Sequence, residues 1–252
     1  MEFLILGAGA FLAGLVDAVV GGGGLIQLPL MLAVLPQVPI PIIFGTNKVS
    51  SIAGTASAAW AYSSKIKLDK RIALPGAIAA LVGSAIGASV VSFLSSEILK
   101  PLVLVMLVLV GGYTFLKRDF GREKRTPIVV RHIGLVAALI GLSIGFYDGF
   151  FGPGTGSFLI FAFVRLFGMD MLHASATAKV VNFATNLAAI VYFSLHAGVL
   201  WKLGLFMAIA NVAGAQVGTR LALRHGNGFV RWLLLAVVSV LIVKLGLDVL
   251  RG

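Results

Sequence analysis

A chain of 252 residues that is 59% hydrophobic and only 12% charged, with a mean hydropathy of +1.05, is not an ordinary soluble domain. Its net charge of +11 comes from basic residues in short loops between apolar runs; membrane topology explains that placement, and nucleic-acid binding is not expected. The absence of cysteine excludes thiolate chemistry, disulfides and zinc sites built on sulfur.

The apolar runs are continuous over about 20 residues rather than alternating over about 10, so they predict membrane helices and not barrel strands. An all-α polytopic membrane protein is expected in the cytoplasmic membrane, with its 31 glycines letting helices approach closely. The first run, 3–20, carries no basic leader and reads as the first membrane segment. It ends in Gly21-Gly22-Gly23-Gly24, where glycine's backbone entropy should break the helix. Residues 25–35 then give a segment too short for a hydrocarbon core of about 30 Å. Pro36, Pro39 and Pro41 predict an extended turn at a membrane face.

Full spans are expected at 42–63, 72–94 and 98–116. The second half replays the first: a span at 132–151, a break at 152–156, a short segment to 167, then spans at 171–195, 203–222 and 228–249. Residues 1–116 thus form a first transmembrane repeat, 117–131 a basic cytoplasmic linker and 132–252 a second repeat. At an offset of 131 residues, Gly14, Asp17, Gly21 and Gly23 fall on Gly145, Asp148, Gly152 and Gly154. Thr46, Lys48 and Val49 fall on Thr177, Lys179 and Val180, and Gly83 and Gly87 on Gly214 and Gly218.

Two topologies compete. If each short segment crosses, the halves are inverted repeats; if each turns back as a hairpin, every half has four spans and the halves are parallel. Inversion puts 14 lysines and arginines inside and 3 outside, whereas the parallel arrangement puts 12 inside and 5 outside. The positive-inside rule favours inversion.

A lysine within an apolar run is a functional-site hypothesis by default, and snorkelling to the interface is its bland alternative. Lys48 and Lys179 occupy equivalent positions opposite the glycine breaks, where exposed helix N-termini favour anions. Two facing anion half-sites are therefore expected: Gly22, Gly23 and Gly24 with Thr46, Asn47 and Lys48, and Gly154, Thr155, Gly156 and Ser157 with Thr177, Lys179 and Asn182. Transporters with inverted repeats place substrates at such broken helices. A nucleotide phosphate loop does not fit, because no Gly-Lys-Ser/Thr follows the glycines.

Asp17 and Asp148 lie well inside apolar runs. They can be read as proton-coupling carboxylates or as structural ion-pair partners of Lys48 and Lys179, and the two roles can combine if the substrate competes with aspartate for lysine. His132, His173, His196 and His225 lie near segment ends without a second ligand type, so no metal is expected. Trp60, Trp201 and Trp232 read as interfacial anchors. Tyr147, Phe150 and Phe151 read as packing or gate-lining aromatics. No catalytic triad spacing is visible, so neither an enzyme nor a cofactor is expected.

At DAVVGGGGLIQLPLML, FGTNKVSSIAGT, GFYDGFFGPGTGSFLIFAFV and ATAKVVNFATN, the chain resembles the TauE/SafE, or sulfite exporter, family of membrane permeases over essentially its whole length. It resembles most the branch whose second motif reads GFYDGFFGPGTGSF. The resemblance implies transport of sulfite, thiosulfate, sulfoacetate or related sulfonates without ATP hydrolysis. Asn47 corresponds to Ala178, and Ser51 to Asn182, so the expected site is asymmetric. A bare anion leaving an inside-negative cell gains about 2.3 kcal/mol per charge per 100 mV, which makes export the default direction; uptake would need a coupled proton or sodium. An anion channel and a non-transporting scaffold or receptor are the rivals. A channel conducts without a conformational cycle, and a scaffold predicts flux indifferent to loss of either lysine.

Overall fold

A computed structural model describes residues 1–95, 97–99, 101–103, 105–106, 109 and 131–225. The span expected at 228–249, residues 117–130 of the linker and most of the span expected at 98–116 lie outside the described residues. Among the described residues there is no strand. The helices are α1 (Glu2–Val20), α2 (Gly24–Val34), α3 (Ile40–Ser63), α4 (Lys70–Ser92), α5 (Ile133–Phe150), α6 (Thr155–Phe167) and α7 (Met171–His196). An eighth, α8, is helical from 201 to 225. By length and composition α1, α4, α5 and α7 can each cross a membrane.

Helix boundaries follow local chemistry. α1 stops at Gly21, which takes the left-handed conformation (φ 75°) that glycine adopts without steric cost. The break is three residues long, because Gly23 is already helical at φ −58° and caps α2. α3 begins two residues before the expected span: Pro39 caps it and Pro41 fits its first turn, where no backbone donor is needed. At the position equivalent to Pro39, Asp170 caps α7 by accepting from the amides of Leu172 and His173 at 3.0 Å. Asp69 caps α4 by accepting from the Arg71 amide at 2.9 Å. The hydrogen-bonded Arg71 guanidinium holds the Asp69 carboxyl below its usual range.

The halves interlock through glycines. A Cβ on Gly83 would strike the Leu142 carbonyl, and one on Gly87 the Phe146 carbonyl. At the equivalent places, Gly214 abuts the Phe11 carbonyl and Gly218 the Leu15 carbonyl. α4 of the first half therefore packs on α5 of the second just as α8 of the second packs on α1 of the first. Lipid tails give no hydrophobic drive for such contacts, so close backbone approach through small residues supplies the dispersion that holds them.

These pairs also fix direction. Gly76, Ala80 and Ser84 climb together with Gly141, Gly145 and Gly149, and Ser84 donates to the Thr185 carbonyl at 2.7 Å, so α4, α5 and α7 share one sense. Phe11 and Leu15 meet Gly214 and Gly218 in register, and Val49 and Gly54 meet Gly204 and Asn211, so α1, α3 and α8 share a sense. Gly45, early in α3, packs on Phe193, late in α7, and the two sets run oppositely. α2 turns back along α1, with Gly23 against Asp17 and Gly9 against Leu30. Short segments that turn back go with parallel halves only where α1 reaches the far face. In the structure its break ends inside the bundle, against the other half.

Two apolar cores occupy opposite ends. One gathers Leu6, Phe44, Phe151, Phe193 and Met207, the other Val16, Tyr62, Phe163, Met171 and Val181. The glycine breaks sit between them, back to back: a Cβ on Gly24 would lie 3.0 Å from Cα of Pro153, and Gly21 and Gly156 leave each other no room for a side chain.

Candidate functional site

Where the breaks meet, three buried charges, Lys48, Asp148 and Lys179, and the part-buried Asp17 pair across the halves. Nζ of Lys48 on α3 donates to Asp148 on α5 at 2.6 Å, and Nζ of Lys179 on α7 donates to Asp17 on α1 at 2.7 Å. Lys179 also donates to the Asp17 backbone carbonyl. The two pairs are the same pair exchanged between halves. Snorkelling is excluded, since Lys48 is 4% exposed and Lys179 fully buried. An ion taken this far from water costs several kcal/mol, which a partner at contact distance offsets. Gly152, at φ 101°, clears space for one ammonium, because a Cβ there would sit 3.0 Å from Nζ of Lys48.

Between the pairs lies a small polar cavity of about 320 Å³, counting the space open to solvent. Of the expected residues it is lined by Asn47, Lys48, Gly24, Gly154, Thr155, Gly156, Asn182, Asp17 and Asp148. The N-termini of α2 and α6 both open on it, adding backbone dipoles that favour negative charge. Oδ1 of Asn47 is buried there without a hydrogen-bond partner.

Other expected residues are placed otherwise. Thr46 donates back to the Ile42 carbonyl at 2.7 Å and accepts from the Leu200 amide at 3.0 Å. Thr177 donates back to the His173 carbonyl at 2.9 Å. Both hydroxyls thus serve the backbone. Ser157 donates to the Val20 carbonyl at 2.7 Å and ties the second break to the first. Gly22 and Gly23 shape the first break, and Lys179 stands behind Asp17. Ser51, Asn186, Gly21 and Gly152 line the cavity and were missed. The signal for the first two was present: Asn47 and Ser51, like Asn182 and Asn186, are four apart and share a helix face.

The aromatics pack. Tyr147 meets Phe151 and Phe158 edge-on with centroids 5.9 and 5.3 Å away, and its hydroxyl donates to the Pro153 carbonyl at 2.5 Å. Phe146 and Phe150 stack. His173 pairs with Asp170 at 2.7 Å. Trp60 is exposed, as is Trp201, and Trp232 lies outside the described residues. An arrangement of one ammonium, two carboxylates, amides and helix ends around a cavity, with a second ammonium behind Asp17, suits reversible binding of a small anion.

The family model described as "Sulfite exporter TauE/SafE" matches residues 6–245. The chain is 36% identical over 243 residues to "Probable membrane transporter protein ORF9" of Sinorhizobium sp, covering 95% of this chain and 90% of that one. It is 34% identical over 240 residues to "Probable membrane transporter protein YfcA" of Escherichia coli (strain K12), covering 95% and 87%. To "Probable membrane transporter protein" of Haemophilus influenzae it is 32% identical over 238 residues, covering 94% and 92%. No solved structure matches.

Proposed function

Because this chain belongs to the sulfite exporter TauE/SafE family of membrane transporters, we propose that it exports a small sulfur-containing anion across the cytoplasmic membrane by alternating access. Sulfite, thiosulfate, sulfoacetate and related sulfonates are the cargo class. The observation that carries the reading is the pair of exchanged Lys–Asp bridges flanking one polar cavity on which two helix N-termini open. The cargo takes a lysine from its aspartate and adds the amides of Asn47, Asn182 and Asn186.

The halves act as inverted repeats, a reading supported by the opposed senses of α1 and α5. Lys48 lies early in α3 and Lys179 early in the oppositely directed α7, so the bridges stand on opposite sides of the cavity. Parting one bridge opens the site to one face while the other stays shut. Lys65 and Lys67, between α3 and α4, and Arg71, in the first turn of α4, share an end of the bundle with Arg220 and Arg224, which supports that end as cytoplasmic. The membrane potential then drives net negative charge outward.

Thermal unfolding of the purified protein against sulfite, thiosulfate, sulfoacetate and methanesulfonate, with acetate as control, tests the cargo class. A ligand at a hundred times its Kd stabilises by about 2.7 kcal/mol, so a rise of several degrees is expected with at least one sulfur anion. No shift with any of them, together with no counterflow in proteoliposomes, would leave the scaffold or receptor reading.

A further inference from the structure

We infer that the anion is carried together with one proton, taken by whichever aspartate the cargo displaces from its lysine. The inference rests on the proposed anion site and adds its co-substrate. Lys48, Asp148 and Asp17 line the cavity and Lys179 stands behind Asp17, so the two bridges leave the site neutral. An added anion leaves the site with a net negative charge, and a carboxylate displaced from its lysine beside that anion relieves the like-charge repulsion by taking a proton. Access from one face parts one bridge, freeing one lysine for the anion and one carboxylate for a proton. The second bridge remains closed as the opposite seal, which limits the count to one.

Among the described residues, the groups facing these carboxylates are few. Asp148 faces Lys48, with Tyr147 beside it in sequence; Asp17 faces Lys179, and Tyr62 donates to the neighbouring Ala18 carbonyl at 3.1 Å. The other charged groups on the helices packed against them, such as Lys70, Arg71, Arg165, His173 and Arg220, are exposed. None can neutralise the loaded site. A doubly charged cargo with one proton still moves a net negative charge, so the potential still favours its export.

Calorimetric titration of the wild-type protein with thiosulfate and methanesulfonate, in buffers of different ionisation enthalpy, tests the inference. Neither anion holds a proton near neutrality, so any proton taken up goes to the protein. About one proton per anion is expected, with affinity falling about tenfold per pH unit above neutrality. In Asp17→Asn/Asp148→Asn that dependence should shrink below about threefold per unit, whatever the variant's affinity. Clear binding with identical heats in all buffers, or binding that requires sodium instead, would overturn the proton and leave the anion site standing. Absence of binding by any sulfur anion would overturn the site itself.

Discussion

Lys48→Gln and Lys179→Gln should each abolish calorimetric binding of sulfite or a sulfonate, while Lys65→Gln leaves it unchanged. Each buried ammonium is already held in contact geometry by a carboxylate, so an anion replaces a partner rather than recruiting a mobile side chain. Losing a buried charged contact of that kind costs about 3 kcal/mol, or about a hundredfold in affinity. Lys65 is exposed at the end of α3 and serves as the control for net charge.

Lys48→Gln also strands the buried Asp148, and an uncompensated buried charge destabilises by about 3–5 kcal/mol. Lost binding could then be lost folding. Lys48→Met/Asp148→Leu removes both charges, and such replacements are often neutral or stabilising. That variant should melt near the wild type yet neither bind nor transport. If it transported normally, the bridge would be a structural fixture and the anion site would have to lie elsewhere.

The sequence revealed this bridge only in part, for physical reasons. A lysine or an aspartate in an apolar run is conspicuous by its cost, and the repeat offset linked Lys48 to Lys179 and Asp17 to Asp148. It did not say which lysine meets which aspartate, since pairing across halves depends on how α1 and α5 cross α7 and α3. The glycine breaks were legible from backbone entropy, whereas their abutment through Gly21, Gly24, Pro153 and Gly156 is a tertiary fact. Thr46 and Thr177 repeat as well, but repetition marks structural duties as readily as functional ones, and their hydroxyls serve helix backbones. Asn186 went unnoticed because its counterpart is Thr55, and a search for identical residues passes over a chemically divergent face.

Gly83→Ala and Gly214→Ala should destabilise the protein by similar amounts, measured as loss of thermal stability in detergent. In a helix alanine is intrinsically better than glycine by about 1 kcal/mol, so a glycine in open space would give the opposite sign. Here the added methyl meets rigid backbone, the Leu142 carbonyl in one case and the Phe11 carbonyl in the other. Overpacking costs about 1–3 kcal/mol, and a second helix cannot yield as a side-chain tip can, so the clash outweighs the propensity gain. Valine at either position should prevent folding. Gly134→Ala, whose nearest neighbours would be 3.6 Å away, should be neutral or slightly stabilising. The equality of the two effects is the informative part, because it follows from α4 lying on α5 as α8 lies on α1. If Gly83→Ala were destabilising and Gly214→Ala were not, the exchanged packing of the halves would fail, and with it the argument that one bridge can part while its counterpart holds.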